Sequence, residues 1–322
     1  MNGDDYPRTL IEFEERFGTE AACREYVFHL RWPGGFVCPR CGAQRGWHGT
    51  RARVICGACR YQASVTAGTV FADTRKPLRL WFRAMWYVTS QKTGGSALGL
   101  QRILGLGSYP TAWTWLHKLR RAMVRPGRDR LAGEVEVDET FVGGLEAAVH
   151  GRETECKSLV VIAAEKREKH GYGRVRMARI PDASGAVLLQ FIEHAIEPGS
   201  RVCTDGWSGY SGVEDRGYRH VVTVLSGQGK DAALRELPRV HRIAGLLKRW
   251  LQGTHQGRVG AAHLDYYLDE YTFRFNRRTS ASRGKLFYRL VQQAVQTKPV
   301  PYSRIVGGTV AALPQDNHKV QG

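Results

Sequence analysis

The sequence contains no apolar run approaching the roughly 18 residues of a membrane-spanning helix, so membrane insertion is not expected. Residues 1–15 are acidic and polar, the reverse of a basic-then-apolar secretory leader, and a cytoplasmic location is expected. Internal repeats and low-complexity segments are also missing, which sets aside repeat arrays. Acidic residues are scarce: 30 Asp and Glu stand against 48 Lys and Arg, a net charge of +18. That excess runs along the whole chain and favours a polyanionic partner, nucleic acid being the commonest, although a merely basic enzyme shares the balance. An apolar fraction of 42% excludes a mainly disordered chain, and 322 residues suffice for a full catalytic core with a smaller module beside it.

Three textures divide the chain: 1–66, an N-terminal helix plus a Cys-, Gly- and Arg-rich segment; 67–128, helical; and 129–295, mixed strand and helix. A loose tail, 296–322, follows. In the first, Leu10, Phe13 and Phe17 predict a helical opening over 10–30. In the second, Leu78, Trp81, Phe82, Met85, Trp86 and Val88 form a helical stripe. The break Gly105-Leu106-Gly107 then separates two further helices, and the second ends in Arg120 and Arg121. This is either a helix-turn-helix or a plain helical hairpin. From Gly133 the period changes to two. Residues 134–138 alternate as a half-buried strand, and 159–164, 174–180, 201–205 and 221–225 read as further strands. Helices are expected over 183–196, 240–251 and 261–275, giving the order βββαβαβα with further helix.

Four of the seven cysteines form two tight pairs, Cys38-Pro39-Arg40-Cys41 and Cys56-Gly57-Ala58-Cys59. Each C-x2-C knuckle supplies two thiolates, and two knuckles complete a tetrahedral zinc site with no open position, hence structural and not catalytic. A redox pair or buried free thiols are the competing readings. Gly42 and Gly57 stand where such knuckles need a permissive backbone. Cys23, Cys156 and Cys203 are read as packing residues. Arg40, Arg45, Arg51, Arg53 and Arg60 crowd the quartet, beside Trp47 and His48, and suit phosphate contacts or simply a solvated basic face.

Asp138 and Asp205 each end a strand, the first and fourth of the order above. If those strands adjoin, their carboxylates meet, and a cation is needed to offset them. Oxygen ligands point to Mg or Mn, and two such ions suit in-line displacement at phosphorus. After thirty-five intervening residues Asp205 is followed by His241, with Lys248 seven later; on a helix these share a face with Gly245.

The chain resembles the DDE insertion-sequence transposases with an N-terminal zinc ribbon and an RNase H-like core. The residues carrying the likeness are Cys38-Pro39-Arg40-Cys41-Gly42, Val135-Glu136-Val137-Asp138-Glu139-Thr140-Phe141 with Gly143-Gly144, and Thr204-Asp205-Gly206-Trp207. Leu246-Leu247-Lys248-Arg249-Trp250, Gly253-Thr254-His255 and Phe273-Arg274-Phe275-Asn276-Arg277-Arg278 complete the set. The resemblance implies an α+β or α/β fold: zinc ribbon, helix-turn-helix-like helical segment, and an RNase H-like domain with a mixed five-stranded sheet and flanking helices. It implies Asp138 and Asp205 as metal-binding catalytic residues for cleaving the element's terminal repeats and joining them to target DNA, with homo-oligomers working on paired ends. It also implies a bacterial protein associated with the nucleoid. Where the family has a glutamate followed seven residues later by a basic residue, this chain has His241 and Lys248, with Glu236 as the reserve candidate. Lys248, Arg249, Arg274, Arg277 and Arg278 are expected along the DNA groove, adding to Arg40, Arg53, Arg60, Arg120 and Arg121. The alternatives are a non-catalytic or domesticated zinc-ribbon DNA-binding protein, and a nuclease without strand transfer.

Overall fold

The computed structural model describes residues 5–125, 127–143, 157–167, 171–223, 236–257 and 259–308, the side chain of Arg51 excepted. In chain order the N-terminal elements are α1 (Leu10–Arg16), α2 (Glu20–Arg31), β1 (Gly46–His48), β2 (Arg53–Cys56), β3 (Gln62–Ser64), α3 (Leu78–Ser90), α4 (Ala97–Leu104) and α5 (Tyr109–Ala122). There follow β4 (Glu134–Val142), β5 (Ser158–Arg167), β6 (Gly171–Ile180), α6 (Gly185–Ala195), β7 (Arg201–Asp205) and β8 (Arg219–Thr223). The last are α7 (Pro238–His255), α8 (Leu264–Phe275), α9 (Arg283–Ala294) and the short α10 (Tyr302–Val306).

These elements fall into two compact units, one drawn from residues up to 126 and from Thr279–Tyr302, the other from Gly127–Arg278 and from Ser303 onward. In the first unit the helical opening is two helices, because Thr19 starts a second one by accepting a hydrogen bond from the Ala22 amide at 3.2 Å. β1, β2 and β3 make a small antiparallel sheet in that order. Aromatic rings tie the helices together: Phe13 meets Trp86 at 4.8 Å, Phe17 meets Phe82 at 4.9 Å, and Phe82 meets Phe287 at 5.6 Å between centroids. Phe287 lies on α9, which sequence texture assigns to the catalytic region; its apolar stripe instead completes this aromatic cluster, so the second unit's main segment stops at Arg278. Close approach fixes one residue of α9, since a Cβ on Gly284 would stand only 1.6 Å from the Pro7 carbonyl oxygen.

The second unit is built on one five-stranded sheet in the order β6-β5-β4-β7-β8. β4, β5 and β6 pair antiparallel, whereas β7 joins β4, and β8 joins β7, in parallel. This is the RNase H-like arrangement, with the first strand central. Both faces of that strand are covered, correcting the half-buried reading. Val135 and Val137 pack with Leu188, Phe191 and Ile192 of α6. On the other face Val142 of β4 and Cys203 of β7 pack with Val240, Ile243 and Leu247 of α7 and Leu268 of α8. The link from β7 to β8 contains two short 3-10 turns, Ser208–Tyr210 and Glu214–Arg216, in place of a full helix. Among the described residues, no helix is long and apolar enough to cross a membrane.

Candidate metal centres

The Sγ atoms of Cys38, Cys41, Cys56 and Cys59 all lie within 4.8 Å of one another. Cys38 and Cys59 are separated by 3.7 Å, and Cys41 and Cys56 by 3.6 Å. A tetrahedron of zinc–sulfur bonds at about 2.3 Å has edges of about 3.8 Å, so the quartet is already shaped for the ion. The Cys59 amide, with that of Ala58, donates to the Cys56 sulfur and lowers its pKa to about 6, which favours the thiolate that zinc requires. The two knuckles repeat one backbone pattern: Gly42 donates to the Cys38 carbonyl at 2.9 Å and Arg60 to the Cys56 carbonyl at 3.1 Å. Both residues are left-handed, at φ +75° and +59°. Gly57 does not have the left-handed backbone that its position suggested; it is crowded instead, since an added Cβ would lie 3.1 Å from the Arg45 carbonyl oxygen. The basic rim is partly in place: Arg40, Arg53 and Arg60 are exposed, and the Arg60 guanidinium lies 5.2 Å from the Trp47 ring centroid.

The second centre is assembled from strands β4 and β7 and helix α7. Glu136 pairs in parallel register with Cys203. Asp138 and Asp205 each lie two residues beyond that pair, on the same α7 face of their strands. Asp138 does not end its strand. Its pairing with β5 runs on to Val142, whereas the ladder to β7 stops at Glu136, so the two carboxylates stand where the central strands part. Asp205 is held by the Trp207 amide, which donates to its Oδ1 at 3.1 Å. Nδ1 of His241 on α7 approaches Oδ2 of Asp138 at 3.6 Å, and Nε2 of the same ring is buried with no hydrogen-bond partner. Burial lowers the pKa of His241 below the ordinary histidine value, against the raising pull of Glu136 and Asp205, so the ring is neutral and able to ligate at neutral pH. Partial desolvation of its ammonium, on an otherwise exposed side chain, lowers the pKa of Lys248, opposed by Asp138 and reinforced by Lys157. A Cβ at Gly245 would meet nothing within 4 Å, so the helix face between His241 and Lys248 is open.

Two acids escaped the sequence reading. Glu136 is only 2% exposed. It accepts from the Arg239 and Val240 amides at 2.7 and 3.0 Å and from the Arg239 guanidinium at 2.5 Å. Glu139, on the opposite face of β4, accepts from the buried Tyr210 hydroxyl at 2.7 Å. Burial, then the Glu139 charge, raises the Tyr210 pKa well above its usual value, so the phenol stays a donor. The signal was the acidic alternation Glu134, Glu136, Asp138, which a solvent-facing strand edge explains equally well.

Several expected DNA contacts are occupied elsewhere. Arg120 is 1% exposed on the inner face of α5. Arg274 donates to the fully buried Glu270 at 2.8 Å, one helical turn away. Arg277 and Arg278 donate to backbone carbonyls, those of Phe273 and Gly173 among them, and lie against the Phe273 and Phe275 rings. Arg121 is half-buried, Lys248 and Arg249 are exposed, and Glu236 is exposed ahead of α7. Cys23 and Cys203 are buried as packing residues, and Cys156 lies outside the described residues.

Comparison with known proteins agrees with this construction. Residues 130–276 match the ISXO2-like transposase domain, and residues 18–62 match the transposase zinc-ribbon domain. The chain is 25% identical over 281 residues to an uncharacterized protein in transposable element ISH50 of Halobacterium salinarum, covering 80% of this chain and 91% of the relative. With both modules matched, the quartet shaped for zinc and the sheet in its RNase H-like order, the chain carries the zinc-ribbon and DDE domains of the insertion-sequence transposases.

Proposed function

We propose that this protein is an active DNA transposase that cleaves the ends of its element and joins them to target DNA, with Asp138, Asp205 and His241 as its catalytic metal ligands. The observation that carries the reading is the meeting of Asp138, on the central strand, with His241 at 3.6 Å, beside a strand ending in Asp205. Two carboxylates are donors suited to Mg or Mn, and the neutral imidazole, whose Nδ1 faces Asp138, would shift the preference from Mg toward Mn. Ligands at about 2.1 Å around one ion stand about 3 Å apart, so Asp138 and His241 need to close by only about half an ångström. Divalent cations bound there, two in the reaction proposed, supply charge neutralisation at the attacking and leaving oxygens of in-line displacement. Lys248 and Arg249, exposed on α7, are suited to the scissile strand's phosphates, and Arg40, Arg53 and Arg60 of the ribbon to duplex phosphates. The working assembly is a homo-oligomer on paired ends.

The test uses a labelled oligonucleotide carrying the element's end, in Mg and then in Mn. Cleavage followed by joining is expected, and Asp138→Asn or Asp205→Asn should reduce both by about 1,000-fold, the rate equivalent of several kcal/mol of metal stabilisation. Binding without cleavage in either metal identifies a non-catalytic DNA-binding relative, the reading that the imidazole in place of an acid favours. Cleavage without joining identifies a nuclease.

A further inference from the structure

α7 begins without a capping side chain of its own. Leu237 occupies the cap position, offers no side-chain acceptor and is followed by Pro238. The first amides of a helix require acceptors, and here they are met from another element. Glu136 of β4 accepts from Arg239 N at 2.7 Å and Val240 N at 3.0 Å, the two residues immediately before His241. Its charge is offset by the Arg239 guanidinium, and the carboxylate is almost wholly withdrawn from water, with its side chain 3% exposed. Glu136 also lies on the same strand and the same face as Asp138, two residues earlier. One strand therefore supplies a proposed metal ligand and grips the helix that supplies another.

We infer that Glu136 is a positioning residue: from β4 it caps α7 and thereby fixes His241 against Asp138. The inference rests on Asp138, Asp205 and His241 being the metal centre. A strand-borne cap does what a cap within the helix cannot. It ties the helix's axial position to the strand, so the His241–Asp138 separation is set by two amide bonds and a carboxylate instead of by the chain preceding Leu237. The Arg239 pairing has a separate part, offsetting the carboxylate's charge where water is excluded.

The experiment titrates Mn2+ into the zinc-loaded full-length protein, following free Mn2+ by electron paramagnetic resonance. It does so for the parent, Glu136→Gln, His241→Ala and the double variant, each checked for a cooperative thermal transition. Both helix amides donate to Oε2 of Glu136 and the guanidinium to Oε1, so Gln can satisfy the amides only by turning its NH2 against Arg239, and the opposite orientation turns that NH2 against the amides. The expected result is about tenfold weaker Mn2+ binding for Glu136→Gln. In the His241→Ala background the same change should weaken binding less than twofold, since a residue acting through His241 has nothing to position there. Parental affinity in Glu136→Gln overturns the inference, as does an equal loss in both backgrounds, which marks general damage. Arg239→Lys keeps the amide bonds and a cation beside the carboxylate and should bind within twofold of the parent; a tenfold loss there assigns the effect to the guanidinium pairing and overturns the capping role. If Glu136→Gln does not melt cooperatively, Glu136→Asp, which keeps the charge but shortens the reach, carries the same comparison. A parent that binds no Mn2+ beyond its zinc overturns the reading of the centre itself, an outcome distinct from all the others.

Discussion

The two centres differ in how their ligands are gathered. The zinc quartet spans 22 residues, from Cys38 to Cys59, and its four sulfurs stand at zinc spacing through backbone hydrogen bonds internal to the two knuckles. The carboxylate centre draws Asp138, Asp205 and His241 from 104 residues of chain and depends on strand register and helix docking to bring them together. A closed set of four thiolates on a three-stranded sheet serves folding. The set proposed for catalysis, two carboxylates and an imidazole, opens onto the bare face at Gly245, which leaves room for substrate. On that proposal one ion would be part of the fold and the others part of the reaction.

The sharpest way to break that distinction is metal removal. Stripping zinc with a strong chelator, or substituting Cys56→Ser, should unfold the ribbon, because apparent zinc binding in such modules is worth about 10–16 kcal/mol and is folding energy. The check is loss of the ribbon's amide protection in hydrogen exchange, with the sheet of the second unit unaffected. Withholding Mg and Mn while zinc is retained should do the reverse, abolishing cleavage and leaving thermal unfolding unchanged within about 1 °C. Buried Glu136 already has Arg239 and two amides to offset its charge, so the sheet's most enclosed acid on that face does not depend on an ion. Parallel losses of fold and activity in both arms would erase the contrast.

That asymmetry also explains what could be read from the chain alone. The quartet was fully legible, because zinc spacing is a local code. The succession of strands was legible from periodicity, and the pairing of the first strand with the fourth, expected from that succession, is present in the sheet. Three features were not. Alternation in Glu134-Val135-Glu136-Val137-Asp138 gives the two faces of β4 but not what covers them, and a buried Glu136 is tolerable only because Arg239, 103 residues away, arrives to pair with it. Arg274 and Arg120 look like DNA contacts in a basic chain; only packing shows that one is bonded to Glu270 and the other enclosed. The stripe on α9 announces a buried face without naming its partner, and that partner proved to be Phe82 and Trp86, not the sheet.

The next effect concerns the ligand that sets the centre apart from a three-carboxylate site. His241→Ala should slow Mn-supported cleavage about 10- to 100-fold, the range for losing one supporting group at a metal, whereas Glu236→Ala, exposed and ahead of α7, should change it less than twofold. His241→Glu should raise the ratio of Mg- to Mn-supported rates, because a carboxylate is the harder ligand. The pH profile checks the same point. Burial holds the His241 pKa below the ordinary histidine value, and protonation removes the lone pair. Cleavage should therefore persist as pH falls through the usual histidine range and decline only below it, and His241→Glu should lack that limb. A profile unchanged by the substitution would remove His241 from the centre.

The smallest effect lies within the ribbon and tests whether its two knuckles are equivalent. Gly42 and Arg60 both sit one residue beyond a knuckle's second cysteine, both are left-handed, and both donate to the knuckle's first cysteine. Gly42→Ala adds a Cβ that meets nothing within 4 Å, so its cost is the backbone preference alone, about 1 kcal/mol or roughly fivefold in zinc affinity. Arg60→Gly relieves that same preference in the second knuckle but gives up the stacking on Trp47, worth about 0.5–1 kcal/mol at an exposed site. The two contributions nearly cancel, and zinc affinity measured against a chromophoric chelator should stay within about twofold of the parent. DNA affinity should nevertheless fall in this variant, with the slope of log affinity against log salt reduced by about 0.9, the loss of one phosphate contact. Unchanged salt dependence would confine Arg60 to the ribbon's architecture, and the left-handed position would then be occupied by arginine for Trp47 alone.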